Sequence, residues 1–239
     1  MATMVRWVAL LAVICAVAAV DRNNFKSCQQ SSFCRRHRAA KPGESPYSLL
    51  VDTVTVSETG IVGDILNEKN KVIFTLEVYP LEDHTLRVKI NEKNPIRQRF
   101  EEPYAIIAGL HTEKFTVDER SFDGLILSFG ESKVVLKAKP LRIDVYKGKN
   151  LVISTNARGL LKFEHYRNKP AEGEGENADL QVIDEEEDKD GLWEETFKGH
   201  SDSKPNGPSS VGMDISFINS KHVYGIPEHA DAFSLKETT

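Results

Sequence analysis

A chain of 239 residues and 26.8 kDa has room for one large domain or two small ones. With 40% hydrophobic and 28% charged residues and only 15 Gly and 10 Pro it can bury a core, and it is neither collagen-like nor wholly disordered. The net charge of −5 is uneven: residues 172–190 hold ten acids against Lys189, and the remainder sums to +4 without a dense basic stripe, which argues against nucleic acid as a partner.

The chain opens with one cation, Arg6, ahead of an apolar run from Trp7 to Val20 that ends in small residues including Ala16-Val17-Ala18. Residues 1–20 read as a cleaved secretory signal peptide. Fourteen apolar residues rise about 21 Å as a helix, short of the roughly 30 Å hydrocarbon core, so a permanent anchor is the weaker reading. No later stretch approaches spanning length, and no membrane association is expected after signal removal. Cys15 would leave with the signal. Cys28 and Cys34 remain, and an oxidising lumen favours pairing them, with two unpaired thiols as the alternative. The seven His are scattered, so no four-ligand zinc spacing is visible, and no cofactor motif is present.

Residues 21–47 form an N-terminal arm with a short helix expected over 24–37. From residue 48 the apolar pattern has a period of two. In Thr85-Leu86-Arg87-Val88-Lys89-Ile90-Asn91, Leu86, Val88 and Ile90 share one face and Arg87 and Lys89 the other, the signature of a half-buried strand. Further strands are expected over 49–56, 71–79, 125–129, 133–139, 141–146, 151–155 and 160–166, with a hairpin turn at Lys147-Gly148-Lys149-Asn150. Short strands at this spacing predict an all-β fold, an antiparallel β-sandwich or barrel. Residues 170–191 are too acidic and too poor in apolar positions to offset the entropy of ordering, and read as a disordered acidic insertion. Residues 192–198 suggest a turn or so of helix. Strands are expected again over 211–218 and 222–226, around a turn at Asn219-Ser220-Lys221. Residues 48–239 are thus read as one domain interrupted by the acidic loop.

The chain shows no Gly-x-Ser-x-Gly elbow, Walker loop, His-Glu-x-x-His or Rossmann fingerprint. Glycosidase chemistry needs two carboxyl groups about 5–10 Å apart. Glu101 and Glu102 are adjacent and would point to opposite faces of a strand, so they read as solvated charges. Arg35-Arg36-His37-Arg38 with Lys41 is the densest basic patch: an exposed helix end where cations complement the dipole, or a contact for a polyacidic partner, conceivably the chain's own acidic loop. His222-Val223-Tyr224-Gly225-Ile226-Pro227-Glu228-His229 reads as a packed corner rather than a ligand loop, because nothing nearby completes an acid–base pair.

Several blocks carry a more specific signal. Asp21-Arg22-Asn23-Asn24-Phe25-Lys26 with Cys28 and Ser32-Phe33-Cys34, Asn156-Ala157-Arg158-Gly159-Leu160-Leu161 with Phe163-Glu164-His165, Trp193-Glu194-Glu195-Thr196-Phe197-Lys198 followed by His200-Ser201-Asp202-Ser203-Lys204-Pro205, and the run from His222 to Asp231 resemble the N-terminal portion of glucosidase II catalytic α subunits, in glycoside hydrolase family 31. The resemblance implies a galactose-mutarotase-like β-sandwich ahead of a (β/α)₈ barrel, and a retaining α-glucosidase of the endoplasmic-reticulum lumen that trims glucose from N-linked glycans with a regulatory β subunit as partner. It implies that Cys28 and Cys34 form the family's N-terminal disulfide. The family's Trp-x-Asp-Met-Asn-Glu nucleophile segment is absent from these 239 residues. The expectation is therefore an N-terminal region with no catalytic, cofactor or metal residue, ending before the sandwich closes and inactive alone. The alternatives are a free-standing carbohydrate-binding module, suggested by Trp193, Phe217 and Tyr224, and an interaction protein acting through its acidic loop.

Overall fold

The alternation of apolar side chains resolves into two antiparallel sheets. The computed structural model describes residues 22–101, 111–169, 191–225 and 237. The expected signal peptide, residues 170–190 of the acidic insertion and residues 226–231 of the C-terminal block lie outside them. Strands β1 (Tyr47–Val56), β2 (Ile61–Asn67), β3 (Ile73–Leu81) and β4 (Thr85–Glu92) follow one another as a four-stranded meander. Then come β5 (Thr116–Ser121), β6 (Gly124–Phe129), β7 (Ser132–Lys137), β8 (Arg142–Lys147) and β9 (Asn150–Thr155). After these lie the short strands β10 (Lys162–Phe163), β11 (Glu194–Phe197), β12 (His200–Ser203), β13 (Val211–Gly212) and β14 (Ile215–Phe217). The second sheet has the order β14-β9-β8-β7-β6-β5, while β10 pairs with β13 and β11 with β12.

Strand geometry sends alternate residues inward. Phe74, Leu76 and Val78 of β3 and Ile61 and Ile65 of β2 meet Leu125, Leu127 and Phe129 of β6 and Val134 and Leu136 of β7 in one buried cluster. Each such side chain contributes roughly 1.5–3 kcal/mol of apolar burial. The sheets are also joined through the backbone, because Leu49 N–H donates to Ala138 O at 2.9 Å and Leu141 N–H to Tyr47 O at 2.8 Å. Gly124 opens β6 at a φ of +145°, and a β-carbon there would lie 1.9 Å from Leu136 O. No other residue fits without moving β7.

The antiparallel β-sandwich matches the expected fold class. At the edge strand β4, Leu86 and Ile90 pack against the core, but Val88 remains 36% exposed. Several local expectations need correction. Residues 192–198 do not form a helical turn: Glu194–Phe197 is a strand, paired with β12 across Lys198-Gly199. Both turn residues have positive φ, 50° and 79°, the conformation that a two-residue hairpin requires. The helix expected over 24–37 is divided into 3₁₀ turns at Arg22–Asn24 and Cys28–Gln30 and a helix α1 at Ser32–Ala39. The strand expected over 211–218 is broken at Met213-Asp214, because the Asp214 carboxylate accepts the N–H groups of Arg158 at 2.8 Å and Leu160 at 3.0 Å. Only Lys162–Phe163 of the 160–166 segment is strand, and His222–Gly225 contains none. Strands β2 and β5 went unrecognised: Gly63 and Asn67 interrupt the apolar face of β2, and β5 is an exposed, charged edge.

Replacing Phe74, which is fully buried, with Ala should lower the unfolding free energy by about 3–5 kcal/mol. Urea denaturation monitored by circular dichroism checks this. A loss below about 1 kcal/mol would mean that the two sheets do not share this core.

Candidate functional site

The side chains with the most elaborate chemistry lie where α1, the segment after β9 and the stretch before β13 converge. Cys28 and Cys34 form a disulfide with an S–S distance of 2.03 Å, closing the turn at Cys28–Gln30 onto α1. The other side of α1 rests on β13. The rings of Phe33 and His37 stack with centroids 5.5 Å apart, and a β-carbon at Gly212 would come within 3.0 Å of His37. Only a glycine permits this approach. Arg36 forms an ion pair with Glu164, their side chains 10% and 7% exposed, and Glu164 Oε2 accepts the N–H of Ser210 at 3.0 Å.

A second guanidinium lies beside the first pair. Arg99 donates to Glu92 through Nε and Nη2 at 3.0 and 2.8 Å, and to the carbonyls of Ser209 and Glu164 at 2.8 and 2.6 Å. Its planar head lies 4.4 Å from the Phe163 ring centroid and 4.6 Å from that of Tyr166. Glu92 also accepts the N–H of Tyr166 at 3.0 Å. Burial pushes the Glu92 carboxyl up, but the hydrogen bonds from Arg99 and from backbone N–H groups, together with the Arg99 charge, outweigh it and hold the pKa below its ordinary value. Glu195 is also lowered: burial opposes the shift, while the N–H of Ser32 and the cations Lys204 and Lys26 drive it. Asp144 is 1% exposed and accepts from Ser154 Oγ and Arg142 Nε, the latter at 2.7 Å. Asn156 has a φ of +56° and receives the N–H of Leu161 at 2.7 Å while donating to Leu141 O at 2.5 Å.

These are structural uses of charge. A glycosidase acid must keep its proton near neutral pH opposite a second carboxyl group in an open pocket. Here the buried acids Glu92, Glu164 and Asp144 each face an arginine. Among the described residues no group of three or more His, Cys, Asp and Glu is arranged to hold a metal ion. A cleft of about 830 Å³ opens beside α1, walled by the start of β1, the β2–β3 turn and residues 159–167.

The structure divides the basic patch expected at an exposed helix end. Arg36 turns inward to Glu164, whereas Arg35 and Lys41 line the cleft. Glu101 pairs with Lys89, and Glu102 lies outside the described residues. Of the aromatics that suggested sugar binding, Trp193 has the Arg167 guanidinium 5.4 Å from its ring centroid, Phe217 is 40% exposed and Tyr224 69% exposed. Arg99 and Glu92 were not singled out by the sequence, because an irregular stretch separates them and nothing in the pattern brings them together.

Residues 75–239 match the glycosyl hydrolase 31 N-terminal galactose mutarotase-like domain. The chain belongs to glycoside hydrolase family 31. It is 41% identical over 240 residues to neutral alpha-glucosidase AB of Mus musculus, covering 92% of this chain and 25% of that protein. A solved glucosidase II alpha subunit in a DNJ-bound form superimposes with a TM-score of 0.74 at 33% identity, covering 90% of this chain and 25% of that one. A similar match, with a TM-score of 0.73, 33% identity and coverage of 89% and 25%, is to the ER glucosidase II heterodimeric complex of the catalytic subunit with the binding domain of the regulatory subunit. The chain thus spans about a quarter of the length of these family 31 relatives.

Glu92→Gln should destabilise the fold by about 3 kcal/mol at pH 7, because Arg99 is left facing a neutral amide. The sign with pH follows from the lowered folded pKa. The contribution of Glu92 is present above the unfolded carboxyl value and lost as pH falls through the folded one, so the gap between wild type and variant should narrow toward pH ~3. Urea unfolding at the two pH values measures it; an equal gap at both would contradict the assignment.

Proposed function

We propose that this chain is the N-terminal, non-catalytic β-sandwich region of an endoplasmic-reticulum α-glucosidase. In this reading residues 1–20 direct secretion, 21–47 are an arm closed by the Cys28–Cys34 disulfide, and 48–239 form the sandwich domain. The longer protein trims glucose from N-linked glycans in the lumen and works with a regulatory β subunit. The observation that carries the reading is the commitment of Glu92, Glu164 and Asp144 to arginine partners in a fold spanning about a quarter of its relatives. Retaining hydrolysis needs a nucleophile and an acid about 5–5.5 Å apart on rigid supports. Barrel strand ends meet that demand, and the sandwich in this reading supports them from outside.

The glycan and regulatory-subunit assignments draw on the relatives. One solved glucosidase II alpha subunit is bound to Glc1Man2, and another is in the complex with the regulatory subunit's binding domain. No cofactor or metal is assigned to this region.

The purified 239-residue chain should release no chromophore from a nitrophenyl α-glucoside above a buffer blank. Activity that follows the protein through successive columns would refute the reading. A C-terminal reporter carrying a glycosylation sequon should acquire glycan in cells, and lose that modification when residues 2–20 are deleted. Glycan-free reporter on the intact chain would remove the lumenal assignment.

A further inference from the structure

The cleft beside α1 is lined by Arg35, Arg36, Lys41, Lys69, Lys162 and Arg167, against two acids, Glu44 and Glu164. Glu164 is already engaged by Arg36. The rest of the lining therefore carries a surplus of positive charge over the apolar surface of Tyr47, Leu161 and Phe163. Concave low-dielectric walls focus such a field, so the cleft attracts anions more strongly than the same cations would on a flat surface. The screening length at physiological ionic strength is about 8 Å, which restricts the attraction to charges brought close to the wall.

The complementary charge lies in the same chain, where residues 172–190 hold ten acids against Lys189. Both ends of that segment begin at the cleft. Arg167, on the cleft wall, precedes it, and buried Gly191 directly follows it. A β-carbon built on Gly191 would lie 2.9 Å from Arg36 Nη2. Tethered at both flanks, the acids experience a local cleft concentration of order millimolar, far above any protein in trans. We propose that this cleft is a docking site for carboxylate-rich peptide and that its occupant is the chain's own segment 172–190. Docking there offsets the mutual repulsion of the lining cations. It also binds α1 to residues 159–167 by charge, next to the Arg36–Glu164 pair.

The test uses a labelled synthetic peptide of residues 172–190 and two forms of the full chain: the unaltered one, and one whose ten segment acids are replaced by Gln or Asn at constant length. Fluorescence anisotropy should report binding to the neutralised form, falling about tenfold or more between ~50 and ~500 mM salt, and at least tenfold weaker binding to the unaltered chain, whose cleft is filled in cis. On the neutralised background, Lys69→Gln with Lys162→Gln should weaken binding about tenfold with an unchanged thermal melt. Equal binding to both forms, or binding indifferent to the cleft substitutions, overturns the proposal. Tripolyphosphate that binds the neutralised chain where the peptide does not would assign the cleft to a phosphate-bearing partner and overturn it as well.

Discussion

The arginine–carboxylate pairs Arg99–Glu92 and Arg36–Glu164 hold together the parts of this protein that apolar packing does not reach. The two sheets share an apolar core of Phe, Leu, Ile and Val side chains and need no such device. The segment after β9 and the stretch leading to β13 contribute only Leu161 and Phe163 to that core. They are fixed instead by donors and acceptors of defined direction. Arg99 contacts the end of β4 through Glu92, and the two converging segments through the carbonyls of Glu164 and Ser209. A buried ion pair adds little net stability over an apolar substitute, but losing one partner leaves a charge without solvent. Its value here is directional: the guanidinium fork meets these acceptors in one arrangement only.

The same constraint determines what the acids can do. A carboxylate held by a guanidinium and backbone N–H groups is stabilised in its ionised form, and a carboxyl that gives up its proton so readily is a poor general acid at neutral pH. Glu92 shows this directly, since hydrogen bonding overcomes the burial that would raise its pKa. The arm is held on similar terms. Its disulfide closes a small loop, Glu195 accepts the N–H of Ser32, and Gly212 lets the helix approach β13. Arm, connecting segment and late strands are thus fastened to the sandwich at one place, beside the basic cleft.

Membership of glycoside hydrolase family 31 accounts for this division between scaffold and chemistry. The relatives extend about fourfold further than the matched region, and solved glucosidase II alpha subunits share its backbone at a TM-score of 0.74. The long-range contacts that define the fold are β-ladders between chain neighbours, apart from β14, which pairs with β9 from beyond the acidic segment. That return is what makes the insertion a loop within the sheet architecture instead of a tail.

The sequence alone determined the sheet class and most strands, because period-two burial is a local property: Phe74, Leu76 and Val78 alternate with partly exposed residues whatever their partners are. It also carried the family resemblance, in blocks whose residues later proved structural, such as Asn156 at positive φ and Glu164 in its ion pair. What it could not show is which side chains meet. Arg99 and Glu164 are 65 residues apart, and only the folded chain makes the Glu164 carbonyl an acceptor for Arg99. Strand β5, almost wholly exposed and charged, is a strand only because β6 offers it a hydrogen-bonding edge. Burial pattern is written along the chain, whereas pairing, directional hydrogen bonds and the charge of a cleft arise from residues distant in sequence, and the tertiary structure alone decided them.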